Sequence, residues 1–169
     1  MTRDFEEFVH LVESDMHNLA LALTGGDAHE AKDVVQSSLV RIWSRWYRID
    51  IREPRQYSRR VVMREFATIR RRMRWRRERL GAIAHEPSAA DFTGSSDQSA
   101  WLLNALRALP PRQRQTVVLR YLEDMSTADV ASLMNCSEGT VKRAAYDGLR
   151  TLRSTLDSDA RGTSDVQQA

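Results

Sequence analysis

The sequence predicts an all-α protein built as two small helical domains joined by a flexible linker. Apolar residues recur at helical spacing over residues 5–73 and again over 101–152. No run alternates apolar and polar residues as a half-buried strand would. Between the two helical stretches, Gly81 to Ala100 holds no Lys or Arg and is rich in Ala, Ser, Gly and Asp, with hydrophobicity too scattered for a core. The expected layout is a first domain over residues 1–80, a linker over 81–100, a second domain over 101–156 and a disordered polar tail over 157–169.

In the first domain, Phe5, Phe8, Val9, Val12, Met16, Leu19, Ala20 and Leu23 mark the inner face of a helix that Gly25 and Gly26 end. Asp27 starts a second helix, from about Ala28 to Tyr47. Its inward positions are Ala31, Val34, Val35, Leu39, Ile42, Trp43 and Trp46, and its outward ones include Asp33, Gln36, Arg41 and Arg45. Residues 48–53 are irregular, and Pro54 suits the first turn of a third helix that runs to about Arg79. Tyr57, Val61, Val62, Phe66, Ile69 and Met73 face inward there. The end of that helix, Arg70 to Arg79, carries seven arginines and one glutamate around Trp75, although the whole chain has a net charge of only +3. Such a block predicts an anionic polymer as partner. A membrane surface is the weaker alternative, because the segment continues a core-forming helix.

In the second domain, WLLNALRAL from Trp101 forms a short helix. Pro110 and Pro111 end it and start the next, over about Arg112 to Leu122. The stretch from Met125 to Arg153 then reads as helix, tight turn, helix. Ser126 can cap the first, with Asp129 at the acceptor position of a capping box. Asn135, Cys136 and Ser137 break the pattern, and Ser137 caps a second helix that opens with Glu138. Val141, Ala145, Leu149 and Leu152 face a core, while Lys142, Tyr146, Arg150 and Arg153 fall on another stripe with Arg143 beside it. This is the pattern of a helix-turn-helix that lays its second helix in the major groove. An ordinary helical hairpin with a solvated basic face shares it.

Catalysis finds no support. His10, His17, His29 and His85 have no metal-ligand spacing with Cys136, and no phosphate-binding loop occurs, so no metal, cofactor or small-molecule substrate is expected. The lone Cys136 cannot form an internal disulfide, which fits a reducing compartment, and it sits in a turn where a small packing residue is needed. With no long apolar run and no signal-peptide pattern, the expected location is the cytoplasm, without a membrane partner.

Taken together, these blocks resemble the extracytoplasmic-function sigma factors, the smallest sigma-70-type initiation factors of bacterial RNA polymerase, and among them an actinobacterial SigE-type group. LRALPPRQRQTVVLRYLEDMS followed by GTVK at Gly139 to Lys142 is similar to region 4 of that family. EAKDVVQSSLVRIWSRW resembles region 2.2, and YSRRVVMREFATIRRR resembles regions 2.3 to 2.4. The resemblance implies core RNA polymerase as partner, through the clamp coiled coil of its largest subunit and through the flap region, together with promoter DNA, and it offers an anti-sigma factor as a further candidate partner. Asp33, Gln36, Arg41 and Trp43 match the clamp-docking pattern. The loop from Arg48 to Gln56, with the start of the third helix, matches the part that takes melted −10 bases, and Glu138 to Arg153 matches the helix that reads the −35 duplex.

Side-chain chemistry then names candidates within those regions. For the −10 strand, Tyr47 and Tyr57 can stack bases, and Arg48, Arg59, Arg60, Arg70 and Arg71 can meet phosphates. For the −35 duplex, Arg112 and Arg114 can clamp the backbone, Ser137, Glu138 and Thr140 lie at the helix entrance, and Lys142, Arg143 and Tyr146 follow along the helix. Of these, Lys142 and Arg143 can reach guanine edges. Asp147 departs from the family, which often has a basic residue there, and it stands four residues from Arg143, where the two can pair.

Overall fold

The computed structural model describes residues 4–80 and 97–166. Among them the chain forms α1 (Phe5–Thr24), α2 (Ala28–Trp43), α3 (Pro54–Leu80), α4 (Asp97–Arg107), α5 (Pro111–Val117), α6 (Thr127–Met134) and α7 (Glu138–Val166), with no strand. It divides into two compact units, Met1–Ala90 and Asp91–Ala169.

In the front unit α1, α2 and α3 pack on one another. Gly25 and Gly26 take left-handed φ values of 72° and 82°, and both N–H groups reach Leu21 O. Only glycine enters that region without strain, so the chain can reverse here in three residues. Asp27 completes the turn, its carboxylate accepting from the backbone N–H of His29 and of Glu30 at 3.0 Å each. Phe8, Val12, Met16, Leu23, Val34, Ile42, Val62 and Phe66 fill the core between the three helices.

The second helix is shorter than its periodicity suggests. It stops at Trp43, Arg45 leaves helical geometry (φ −119°, ψ 3°), and Trp46–Arg48 tighten into a 3-10 turn. This separates the two tryptophans. Trp46 is buried between the rings of Phe5 and Phe8, both at 5.0 Å, whereas Trp43 touches Phe5 at its edge and stays 52% exposed. Continuous helical spacing puts both inward, and the break after Trp43 turns its ring out.

The rear unit is held by α5 and α6 packing on α7, with α4 also against α7. The chain beyond α5 widens into a π turn over Val118–Leu122, where Glu123 N–H reaches Val118 O at 3.0 Å. Asp124 then takes a left-handed φ of 51°, and Arg120 donates to Met125 O. Ser126 caps α6 by accepting from Asp129 N–H at 3.0 Å. The reciprocal arm differs from a capping box, because the Asp129 carboxylate accepts the Ser126 hydroxyl at 2.6 Å. Replacing Ser126 by Ala should therefore cost the rear unit about 1 kcal/mol, read as a lower midpoint in urea.

Asn135, left-handed at φ 52°, ends α6, and Ser137 caps α7 through Thr140 N–H at 3.2 Å. The buried face of α7 is Val141, Ala144, Ala145 and Gly148. At Gly148 the helices come so close that a Cβ would lie 2.8 Å from Val117 Cγ2 and 3.4 Å from Gln113 Cβ.

Two boundaries move. The polar tail expected to be disordered from residue 157 is instead helical as far as Val166, with no proline to interrupt it, and residues 167–169 lie outside the described residues. The linker expected over 81–100 lies outside the described residues up to 96, and its last four residues begin α4.

Candidate nucleic-acid interface

On α7 the face opposite the core carries Gly139, Lys142, Arg143, Tyr146, Arg150 and Arg153. Lys142 and Tyr146 are exposed, Tyr146 to 68%. Glu138 is exposed at the first helical position, and the Ser137 and Thr140 hydroxyls bond each other at 2.9 Å. Asp147 lies between two guanidiniums: Arg143 Nε at 3.8 Å and Arg150 Nη2 at 3.9 Å. Arg112 is exposed at the start of α5. The shape is an exposed, mainly basic helix presented by a tight turn, which is what entry into a major groove requires.

On the front unit two outer surfaces stand out. Along α2, Asp33, Gln36, Val40 and Trp43 share an exposed stripe, with Val40 at 68%. On α3, Tyr57, Arg60, Arg64 and Arg71 fall on one stripe, the arginines exposed or nearly so. Tyr47, just ahead of α3, is 83% exposed, with its ring 6.4 Å from Trp43, and Arg48 beside it is exposed as well. A protruding phenol ring among guanidiniums suits an unpaired base and its phosphates. Further along α3, the Arg79 guanidinium lies 4.5 Å over the Trp75 ring.

Comparison with known proteins fixes the family. A family model described as sigma-70, region 4, matches residues 99–152. The RNA polymerase sigma-E factor of Streptomyces avermitilis is 36% identical over 166 residues, 94% of this chain and 89% of that protein. The ECF RNA polymerase sigma factor SigL of Mycobacterium tuberculosis is 32% identical over 142 residues, 81% of this chain and 80% of that protein. The chain belongs to the extracytoplasmic-function sigma factors of RNA polymerase. Among solved structures, the sigma factor RpoE crystallised with the anti-sigma factor NepR from Bartonella quintana shares the fold. Its TM-score is 0.60 at 23% identity, over 92% of this chain and 98% of that one.

The folded sigma factor groups some of the sequence candidates and withdraws others. Arg114 is buried at 8% exposure, and its Nη1 donates to Leu109 O at 3.3 Å, so it closes the turn before α5 and cannot clamp a DNA backbone. Arg70 lies off the Tyr57–Arg71 stripe. It is partly buried and pairs with Glu30 at 3.3 Å, which binds α3 to α2 instead of facing a phosphate. Arg59, half-buried, also lies off that stripe. Arg41 is exposed, lies to one side of the α2 stripe and forms an ion pair with the buried Glu65, which leaves it open as a polymerase contact.

Two surface residues of this sigma factor escaped sequence reasoning. Val40 follows Asp33 and Gln36 at helical spacing, yet an aliphatic side chain gives no sign of facing outward. Arg64 follows Tyr57 and Arg60 at helical spacing and could have been found by that signal alone. Among the described residues no cluster of His, Cys, Asp and Glu could hold a metal ion, and no helix is long and apolar enough to cross a membrane.

Proposed function

We propose that this sigma factor divides promoter work between its units. The front unit docks core RNA polymerase along the Asp33–Gln36–Val40–Trp43 stripe of α2, against the clamp of the largest subunit, and holds the melted −10 strand at Tyr47, Arg48, Tyr57, Arg60, Arg64 and Arg71, with Arg59 at its margin. The rear unit touches the polymerase flap region and reads the −35 duplex with the outer face of α7, from Ser137, Glu138 and Thr140 through Lys142, Arg143 and Tyr146, with Arg112 on the backbone. The factor acts in the cytoplasm, carries no catalytic activity of its own, and uses neither metal nor cofactor. An anti-sigma protein would silence it by covering the α2 stripe.

The observation that carries this reading is the pair of outward, basic, aromatic-bearing faces on two separate compact units, one ending in an exposed tyrosine and the other mounted on a helix-turn-helix. The energies are compatible. Unstacking DNA costs about 1.4 kcal/mol per step, and base–aromatic stacking returns about 1–3 kcal/mol per base. Two captured bases offset most of a short melt without nucleotide hydrolysis.

The test is multi-round transcription by core polymerase plus this protein on genomic fragments, with transcript starts sequenced. Lys142→Ala should weaken dependence on the −35 element. Tyr47→Ala should slow strand opening about tenfold while leaving polymerase affinity unchanged, as one lost stacking contact implies. Tight binding of duplex promoter by the free protein, with no start-site choice conferred on polymerase, would favour a stand-alone regulator and defeat this reading.

A further inference from the structure

Asp147 is an acid on a helix face otherwise suited to phosphates. Left alone there it would repel DNA and weaken every complex α7 forms. It is not alone. Its Oδ2 faces Arg143 Nε at 3.8 Å and its Oδ1 faces Arg150 Nη2 at 3.9 Å, so each carboxylate oxygen has one guanidinium and the trio keeps a net charge of +1. The three residues stand at i, i+4 and i+7, adjacent on the helix surface.

The choice of nitrogen matters. Arg143 meets the acid through Nε, which leaves both of its terminal Nη groups for an outside acceptor. Those two groups form the fork that matches O6 and N7 of guanine in the major groove. The Arg143 side chain is 87% exposed, so core packing does not fix its rotamer, whereas Asp147 is 30% exposed and rooted closer to the helix flank. A guanidinium held from behind loses less freedom when it binds, and a swing toward the phosphates is opposed by the acid it would abandon.

We propose that Asp147 is a positioning and specificity-determining residue, which braces Arg143 so that it reads a guanine of the −35 element instead of settling on the backbone. Arg150 neutralises the remaining carboxylate oxygen and lets the acid be tolerated at the DNA surface. The inference rests on α7 being the −35 helix and adds what that helix selects.

The experiment uses holoenzyme assembled from core polymerase and the full chain, on promoter DNA randomised across the −35 element, with bound DNA sequenced. Wild type should favour guanine at one base pair, and Arg143→Ala should flatten that pair. Asp147→Asn should reduce the same preference about twofold and leave neighbouring pairs unchanged, and Asp147→Glu should restore most of it. In the Arg143→Ala background, Asp147→Asn should add nothing at that pair. A preference untouched by Asp147→Asn, or one flattened alike at every pair, overturns the proposal. So does a wild type that selects −35 sequence but shows no guanine lost in Arg143→Ala, with the −35 assignment intact. A wild type with no −35 selection at all overturns that assignment and this inference together.

Discussion

Trp46→Ala should destabilise the front unit by about 3–5 kcal/mol, a large share of what a small domain possesses. The indole is only 4% exposed, and it lies against two phenyl rings on α1, Phe5 and Phe8, at 5.0 Å each. Its removal would leave a cavity where the chain departs from α2 and would also forfeit aromatic contacts worth about 0.5–1.5 kcal/mol per pair. The damage should reach function, because Trp46 anchors the same 3-10 turn that presents Tyr47 and Arg48. Urea unfolding of the full chain measures the loss, and promoter opening by holoenzyme should fall with it. Trp43→Ala supplies the contrast. With its ring half in solvent, stability should fall by about 1–2 kcal/mol, well short of the Trp46 loss, while affinity for core polymerase drops. A small stability effect at Trp46, or a large one at Trp43, would reverse the assignment of the two indoles.

The second large effect is expected at Gly148. A Cβ there would lie 2.8 Å from Val117 Cγ2, and Val117 is itself buried at 4% exposure, so its methyl has little room to withdraw. Gly148→Leu should force α5 and α7 apart and cost about 3 kcal/mol or more, enough to unfold the helix-turn-helix at growth temperature. Gly148→Ala is a finer probe. Alanine favours helix over glycine by about 1 kcal/mol, which opposes the clash, so the net change should be small. Coupling to Val117→Ala decides the mechanism: the double variant Val117→Ala, Gly148→Ala should be less destabilised than the sum of the single changes. Strict additivity would mean that the helices do not meet at this point.

What could be read from the chain alone followed the range of the interactions involved. Helix starts were legible because their caps are local: Asp27, Ser126 and Ser137 each bond to an N–H two or three residues ahead. The Arg143–Asp147 pair was legible for the same reason, since it lies within one helix turn. Interactions between distant segments were not. Arg70 and Glu30 are 40 residues apart, as are Arg55 and Asp15, and nothing in either stretch says that they meet. Arg114 read as a phosphate clamp because arginines are usually outside, yet its reach to Leu109 O depends on how α5 folds back after Pro110. Gly148 gave no sign of its close contact, because a glycine in a helical pattern looks the same whether its missing side chain faces water or a neighbouring helix.

Three arginines of the front unit already face an acid from another helix: Arg55 meets Asp15 at 2.5 Å, Arg70 meets Glu30 at 3.3 Å, and Arg41 meets Glu65. A phosphate approaching any of them would have to displace a carboxylate, so these three arginines are expected to neutralise no phosphate. Ion release scales with the phosphates actually neutralised, at about 0.9 in the logarithmic slope for each. Titration of promoter binding with potassium chloride should therefore count Arg48, Arg60, Arg64 and Arg71 but not Arg41, Arg55 or Arg70, and this factor's grip on DNA should shift less with the electrolyte content of the cell than a count of all its arginines suggests.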